Sequence, residues 1–248
     1  MLDDDVYQRV RASVCAVGYF VVPVEEVPRH IRANQPIMDI VGTAFLVRDS
    51  TLLTNRHVVQ ELYRRRDELG VPLRERACAQ FVYPHESGWQ TAFGRIESIT
   101  DSEEITPDIA FLEFERPPRV LDLCQPVVIH DAMDVRVGQE IAVCGYPLGT
   151  TMLMRGERQY RFGAVLQQGH ISAKAPFDNA LEVEELLLDL RATVGMSGSP
   201  VFLPEDGAVV GVIASGYEEA AVTALAVPMQ PATLAGWLDV HDQARHAV

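Results

Sequence analysis

Residues 195–200 read GMSGSP, with Ser197 between two glycines, and the apolar run SPVFL (199–203) follows at once. A short apolar run bounded by turn residues predicts a β-strand. The serine therefore lies on a loop that leads into a strand. An α/β-hydrolase would instead carry its serine in G-x-S-x-G on a turn from a strand into a helix, and position 199 here is serine. The stretch argues against that fold and favours a β-rich one.

The rest of the chain has the pattern of an all-β protein, in which short apolar runs alternate with turn residues. Twelve strands are predicted, at 13–22, 42–47, 51–55, 77–83, 91–99, 108–115, 140–146, 163–173, 184–190, 199–203, 208–216 and 224–229. Helices are predicted at 57–69 and near 231–243. Pro117 and Pro118 begin a connection that divides the strands into two groups of about equal size.

The composition restricts the partners that the protein can have. The chain has 248 residues, and its 48% hydrophobic content is enough for a substantial core. Its formal charge of -14 repels the phosphates of nucleic acids and anionic lipid surfaces, so neither is expected as a partner. Residues 1–10, MLDDDVYQRV, carry three aspartates where a secretory signal needs positive charge and then an apolar run, which predicts a cytoplasmic protein.

Two other groups of residues have simple structural interpretations. The four cysteines are widely spaced and form no C-x-x-C pair, so we expect buried thiols, with no metal site and no cofactor. They are Cys15, Cys78, Cys124 and Cys144. The three arginines at 64–66 are interpreted as a solvated helix face that pairs with Glu61, Asp67 and Glu68.

Ser197 can act as a nucleophile only with help, because a serine hydroxyl is a weak nucleophile at neutral pH. It needs a histidine base and a carboxylate that orients the histidine. His57 lies where the apolar run TLLTN (51–55) turns into a helix, and Asp108 begins the apolar run DIAFLEFE. The remaining histidines are interpreted as exposed or locally hydrogen-bonded, and they are His30, His85, His130, His170, His241 and His246.

The glycines of the loop suit the binding of a tetrahedral oxyanion. Such an anion needs two backbone N–H donors that point to one place, and Gly195 and Ser197 can supply them if the peptide between them turns sharply. GMSGSP alone is equally consistent with an ordinary turn between strands. The chain order His57, Asp108, Ser197 supports the catalytic interpretation, because it is one of three known orders for this geometry.

At these residues the chain resembles the chymotrypsin-fold, trypsin-like serine proteases, and among them the bacterial HtrA-type and glutamyl-endopeptidase-type branches. The stretches that match are GTAFLV with LLTNRHVV, PDIAFLEF, VGQEIAVCGYPLG, DLRATVGMSGSPVF, and GVIASG with ALAVPM, which together span 42–229. The resemblance implies a single peptidase domain over 1–248, with two antiparallel six-stranded β-barrels at about 1–120 and 121–230 and a C-terminal helix at about 231–243.

The resemblance also implies a serine endopeptidase that acts on protein or peptide substrates through an acyl-enzyme. His57 would be the general base, Asp108 its orienting partner and Ser197 the nucleophile, with an oxyanion hole at the N–H groups of Gly195 and Ser197. The positions that would contact substrate are Arg191, Ala192, Ile213, Ala214, Ser215 and Gly216.

Departures from the family's pattern lead to further expectations. Ile213 stands where glutamyl endopeptidases carry histidine, so we expect the substrate residue before the cleaved bond to have a small or medium apolar side chain. Arg191 leaves an acidic side chain at that substrate position as the alternative, because a guanidinium binds carboxylates. Met196 replaces the aspartate that captures a new N-terminus in trypsin-like zymogens, so activation by N-terminal cleavage is not expected. The chain ends where HtrA proteins add a PDZ domain, and none is expected here. Residues 150–161 match a loop that controls activation in HtrA proteins, so the sequence is also compatible with a resting state in which the active site is closed.

Two other functions are left open by the sequence. One is a protease-fold binding or regulatory module whose site is closed or inactive. The other is hydrolysis of a small ester or amide by the same residues. A specific intracellular target protein is also left open, because the sequence does not identify a substrate.

Overall fold

The computed structural model describes residues 3–33, 35–85, 88–101, 108–117, 120, 124–149, 152–155, 158–161, 163–179, 181–216 and 224–246. Its first closed barrel consists of β1 (Val14–Phe20), β2 (Met38–Arg48), β3 (Thr51–Thr54), β4 (Ala77–His85), β5 (Gly88–Thr100) and β6 (Ala110–Phe114). These strands are hydrogen-bonded in the order β1-β2-β3-β6-β5-β4, and every pair is antiparallel.

The second half of the chain forms another closed, six-stranded antiparallel barrel. Chain order gives β7 (Glu140–Gly145), the hairpin β8 (Met152–Arg155) and β9 (Arg158–Arg161), and then β10 (Val165–Ala175), β11 (Glu185–Leu188), β12 (Pro200–Phe202), β13 (Val209–Gly216) and β14 (Ala224–Pro228). The barrel order is β10-β11-β14-β13-β12-β7, and the hairpin is a separate two-stranded sheet. The expected all-β architecture of two six-stranded barrels is therefore confirmed.

Strand β1 faces an apolar environment on both of its sides. All seven of its residues are buried. Cys15, Val17 and Tyr19 point into the first barrel, while Val14 and Ala16 join a cluster shared with the second barrel. This alternation follows from the two-residue period of a strand. The two barrels therefore share an apolar cluster to which β1 contributes.

The helices lie outside the barrels and were predicted only in part. They are α1 (Asp4–Ala12), α2 (Val27–Arg32), α3 (Arg56–Leu69), α4 (Leu73–Arg76) and α5 (Pro231–His246). The structure confirms the predicted helices at α3 and α5 and all twelve predicted strands. It adds α1, α2, α4 and the β8–β9 hairpin. No helix in the described part of the chain is long and apolar enough to cross a membrane.

The interpretation of His241 as an exposed or locally bonded histidine is wrong. This side chain is fully buried where α5 packs on the first barrel. Its Nε2 lies 2.9 Å from Glu113 Oε1 on β6, and its Nδ1 lies 2.8 Å from Thr100 Oγ1 on β5. Both partners are more than a hundred residues away in sequence, so local sequence carried no signal of them. The buried imidazole is satisfied at both nitrogens, as a polar group in a core must be.

Glu113 makes the attachment of α5 sensitive to acid. Burial raises the pKa of Glu113, but hydrogen bonds from His241, Thr51 and Ser50, together with the nearby Arg245, outweigh it and hold the pKa below the ordinary 4.5. A lowered pKa in the folded state stabilises the protein fully above about pH 4.5, and this contribution is lost as the pH falls further.

We therefore expect Glu113→Gln to lower the free energy of unfolding by about 2 kcal/mol at pH 7. The difference from the wild type should shrink as the pH is lowered from 5 to 3. Urea unfolding at a series of pH values measures it. A difference that stays constant over that range would show that the ionised carboxylate contributes nothing specific.

The four cysteines are free and buried, as the sequence analysis expected. Burial raises the pKa of Cys124 to about 11 and that of Cys144 to about 12, and it raises the pKa of Cys15 and Cys78 as well. Reactive cysteines need a thiolate, so these thiols are inert packing groups. Among the described residues, no group of three or more His, Cys, Asp and Glu side chains is placed to hold a metal ion.

The arginines at 64–66 form the ion pairs predicted for a solvated helix face. Arg64 pairs with both Glu61, three residues before it, and Glu68, four residues after it along α3, and Arg66 bonds Asp67 at 2.7 Å. Surface pairs of this kind contribute little stability. The paired carboxylates do neutralise the arginine charges that a nucleic-acid contact would require.

Candidate active site

The first barrel places His57 and Asp108 side by side at the end of two paired strands. Strand β3 ends at Thr54, α3 begins at Arg56, and His57 is therefore in the first helical turn. Asp108 directly precedes β6, the neighbour of β3. Between them Asn55 is fully buried and donates a hydrogen bond from Nδ2 to Asp108 O at 2.9 Å. Asn55 thus ties the start of α3 to the backbone of Asp108.

The carboxylate of Asp108 bonds His57 at two places. Oδ1 accepts the backbone N–H of His57 at 3.0 Å, and Oδ2 lies 2.6 Å from Nδ1 of the ring. An ionised carboxylate can only accept, so Nδ1 is the protonated nitrogen of the neutral ring. Nε2 then carries the lone pair. Both side chains are partly exposed, at 43% and 34%, so Nε2 can be reached by a reacting group.

Ser197 is carried by a tight turn of the second barrel. Met196 N donates to Thr193 O at 2.9 Å and closes a four-residue turn in which Gly195 has φ of +90°. A positive φ at the third position defines a type II turn and favours glycine there. The Met196 side chain is buried in the core of the second barrel. That apolar setting is unsuitable for the ion pair that an aspartate would form at this position.

Strand β2 of the first barrel holds this turn against the start of α3. Thr43 N donates to Ser197 O at 2.8 Å. A β-carbon placed on Gly42 would be 2.6 Å from Val58 Cγ2 on α3 and 3.2 Å from Ser197 O. Val58 follows His57 directly, so the backbone of Ser197 and the helix that carries His57 both pack against Gly42.

The hydroxyl of Ser197 is directed to its own barrel. Ser197 Oγ donates to Ala214 O at 3.3 Å, and within the described part of the chain no hydrogen bond joins Ser197 to His57. Ala214 is free to accept because a β-bulge between Ile213 and Ser215 removes it from the pairing of β13 with β14. The structure therefore brings His57 and Asp108 into direct contact and places Ser197 beside them with its hydroxyl turned aside.

Two backbone donors accompany the serine. Within the described residues the N–H groups of Gly195 and Ser197 donate no hydrogen bond, although those of Met196, Gly198 and Ser199 around them do. Buried or partly buried N–H groups are normally paired. Gly195 is buried and Ser197 is partly buried, so two free donors in one turn are the feature that an oxyanion site requires.

The residues expected to line the substrate pocket differ in their surroundings. Ile213 is buried in the core of the second barrel, and Ala192 packs against the same core. Arg191 is exposed and, among the described residues, forms no ion pair. The backbone of Ser215 and Gly216 continues β13 opposite Leu225 and Ala224, next to Ala214.

Gly198 tests how tightly the serine turn is packed against β2. It has φ of +85°, and a β-carbon there would overlap Thr43 O and approach Thr54 Oγ1 to 2.5 Å. Gly138 has a similar φ of +82°, but nothing lies within 4 Å of its β-carbon position. The two glycines therefore share a backbone conformation and differ in the space around it.

We expect Gly138→Ala to lower the free energy of unfolding by about 1 kcal/mol, the cost of a left-handed alanine. Gly198→Ala should cost more than about 3 kcal/mol, because the overlap with backbone adds to it. Urea unfolding of the two variants measures the difference. Equal costs would show that the turn can move away from β2.

Two buried residues of the site were not identified from the sequence. Asn55 has the identity of a helix N-cap, yet its side chain forms no cap bond and reaches Asp108 instead. Thr43 lies within a strand, where threonine is a common residue and gives no signal of a special role. Both act through contacts between distant segments, so only the fold brings out their roles. The β8–β9 hairpin covers part of the 150–161 stretch; the remainder, including Thr150, lies outside the described residues.

Comparisons with known proteins agree with this geometry. A glutamyl endopeptidase of Staphylococcus aureus (strain MW2) is 27% identical over 190 residues, which cover 74% of this chain and 49% of the relative. The chain thus spans about half the length of the curated relatives it matches. The active form of the Rv3671c protease of M. tuberculosis superposes with a TM-score of 0.56 at 17% identity, over 94% of this chain and 82% of that one.

A second solved structure, the HtrA-type protease AlgW with a decapeptide, gives a TM-score of 0.54 at 17% identity, over 91% of this chain and 63% of that one. Likeness at this identity shows the shared fold. The decisive match is to the family of trypsin-like peptidase domains, which covers residues 42–212 and includes His57, Asp108 and Ser197. The chain therefore belongs to the trypsin-like peptidase domain family.

Proposed function

We propose that the protein is a serine endopeptidase that hydrolyses peptide bonds through an acyl-enzyme on Ser197. The observation that carries the proposal is the pair of bonds between Asp108 and His57, which leaves Nε2 unprotonated beside the loop of Ser197. A general base has to present such a lone pair next to the hydroxyl that it deprotonates. Membership of a peptidase family supports the same function.

The reaction begins when the Ser197 hydroxyl turns from Ala214 O towards His57. Little opposes this rotation, because the hydroxyl is held by a single 3.3 Å hydrogen bond. His57 Nε2 takes the proton as Oγ attacks the substrate carbonyl, and Asp108 stabilises the imidazolium that results. The N–H groups of Gly195 and Ser197 bind the oxyanion.

His57 then returns the proton to the leaving amine, and the acyl group stays on Ser197. Water, deprotonated by the same histidine, attacks the ester and restores the serine. The backbone at 214–216 pairs with the substrate as an added strand, a mode that recognises main chain before side chains. Ala214 O becomes available for this pairing at the moment when Ser197 releases it.

The specificity that we propose is for a small or medium apolar side chain before the cleaved bond. Ala192 is partly exposed and gives this side of the site an apolar surface, with the buried Ile213 in the core beneath it. Arg191 is exposed and forms no ion pair within the described ranges, which supports an acidic side chain as the second candidate, because a guanidinium binds carboxylates well. A peptide library that varies this one position decides between them, and a strong preference for Glu or Asp would overturn the apolar assignment.

Incubation of the purified protein with casein tests the function itself. Mass spectrometry of the products should show a restricted set of cleavage sites, and prior treatment with a fluorophosphonate should abolish them. Cleavage that survives the reagent would point to a contaminating protease of another class. Hydrolysis of small esters with casein left intact would favour the narrower esterase function.

The second candidate function is a binding or regulatory module with a closed site. The direction of the Ser197 hydroxyl favours it, since the structure shows no bond from Ser197 to His57 among the described residues. Wild-type protein that neither cleaves casein nor reacts with a fluorophosphonate would support this candidate. A specific target protein and a cytoplasmic location stay predictions.

A further inference from the structure

Thr43 on β2 is a fully buried threonine with four hydrogen bonds. Its N–H donates to Ser197 O at 2.8 Å, and its carbonyl accepts from Thr54 Oγ1 at 2.7 Å. Its hydroxyl accepts from Tyr146 N at 3.1 Å and donates to Gly195 O at 2.7 Å. Two of its partners therefore lie in the turn that carries the serine, on the other barrel.

The direction of the hydroxyl bond follows from its two neighbours. Tyr146 N is a donor and Gly195 O is an acceptor, so Thr43 Oγ1 has to accept the first bond and donate the second. The backbone N–H of Tyr146, just after β7, thereby sets the orientation of the Thr43 hydroxyl, and this hydroxyl in turn holds the carbonyl of Gly195. Strand β3 holds the backbone of Thr43 in place from behind through Thr54.

The two bonds from Thr43 fix where Gly195 and Ser197 lie. They hold the carbonyl of Gly195 and the carbonyl of Ser197, the two residues whose N–H groups form the oxyanion site. The φ of +90° at Gly195 belongs to a type II turn, whose central peptide carries the N–H of Gly195. The place to which this N–H is directed therefore depends on where the first barrel holds Gly195.

We propose that Thr43 is a positioning residue whose hydroxyl holds Gly195 in place, so that the N–H groups of Gly195 and Ser197 point to the same oxyanion. This rests on the proposed function and assigns a role to a residue outside the triad and the oxyanion donors. Threonine touches no substrate atom; it acts through Gly195. The first barrel thus contributes to the oxyanion site, which is otherwise built by the second.

Thr43→Val removes the hydroxyl at almost constant volume, and Thr43→Ser keeps it. The readout is the rate of phosphonylation by a fluorophosphonate, since its transition state also places an oxygen in the oxyanion site. Thr43→Val should lower the maximal rate per folded molecule by about 10- to 100-fold. The fluorophosphonate concentration that gives half of the maximal rate should change by less than about threefold, because the oxyanion forms only in the transition state. Thr43→Ser should stay within about fivefold of the wild type.

Thr100→Val is the matched control, because Thr100 also lies in the first barrel with a buried hydroxyl bond, to His241. It should lower stability and leave the phosphonylation rate per folded molecule unchanged. Should the valine variant not fold, Thr43→Ala makes the same deletion and carries the same expectation. A wild-type phosphonylation rate in a folded Thr43→Val or Thr43→Ala variant would overturn the proposal. A Thr43→Ser variant that reacts as slowly as the valine or alanine variant would overturn it as well. Wild-type protein that does not react would instead overturn the proposed function.

Discussion

Ser197→Ala is expected to lower kcat for peptide hydrolysis by on the order of 10⁶-fold, as the loss of a catalytic serine does in serine proteases. The attacking oxygen is removed, and the alanine side chain cannot replace it as a nucleophile. KM should change little, because the substrate strand and the pocket are intact. Initial rates on a peptide taken from a mapped casein cleavage site measure the effect.

Ser199→Ala is the matched control for that substitution. Ser199 lies two residues further along the same motif, is fully buried, and its hydroxyl has no hydrogen-bond partner among the described residues. Removing an unpaired buried hydroxyl costs little stability. The variant should keep kcat within about threefold of the wild type. A large loss in Ser199→Ala, with activity kept in Ser197→Ala, would show that the nucleophile is misassigned.

Asp108→Asn is expected to lower kcat by on the order of 10⁴-fold at neutral pH. The backbone N–H of His57 requires an acceptor where Oδ1 now lies, so the amide oxygen takes that place and the NH₂ group faces Nδ1. An NH₂ group donates, which forces Nδ1 to accept and moves the ring proton to Nε2. The base is then protonated at the atom that should receive the serine proton. Initial rates at pH 7 test the expectation.

The chain offers a close geometric control for Asp108→Asn. His170 and Asp189 form the same two bonds on the surface of the second barrel, with Nδ1 3.1 Å from Oδ2 and the backbone N–H of His170 bonded to Oδ1. No serine is bonded to this pair among the described residues. Asp189→Asn should therefore leave kcat within about threefold of the wild type. A loss as large as that of Asp108→Asn would show that the effect does not come from the assigned pair.

The sequence alone was sufficient to predict the strands and the placing of the paired residues. Short apolar runs with turn residues between them predict strands from local sequence. His57 and Asp108 lie at the ends of such runs, where a side chain can extend beyond the barrel. The nearness of the two residues follows once β3 pairs with β6. For these features the local pattern and the final contacts agree.

Other features depend on contacts that the local pattern does not contain. His241 is buried because Glu113 and Thr100 meet it from the other half of the chain. Thr43 and Asn55 look like ordinary strand and cap residues, and their bonds to Gly195 and Asp108 form only when distant segments pack. The exposure of Arg191, with no ion pair to it in the described structure, is likewise not evident from its place in the sequence.

Helix α1 was missed for a different reason, since its local signals are present. Asp3 accepts a hydrogen bond from Asp5 N at the N-terminus, and the acidic first turn and basic last turn suit the helix dipole. These same aspartates were interpreted as evidence against a secretory signal. Val6 and Val10 are the two buried positions, four residues apart, and that spacing is the helical signal.

Labelling with a fluorophosphonate, followed by intact mass measurement and peptide mapping, tests the central claim most directly. The account predicts a single added phosphonyl group, located on Ser197, in wild-type protein and none in Ser197→Ala. Absence of labelling in folded wild-type protein, or a label on any other residue, would contradict the assignment of Ser197 as the nucleophile of an active serine endopeptidase.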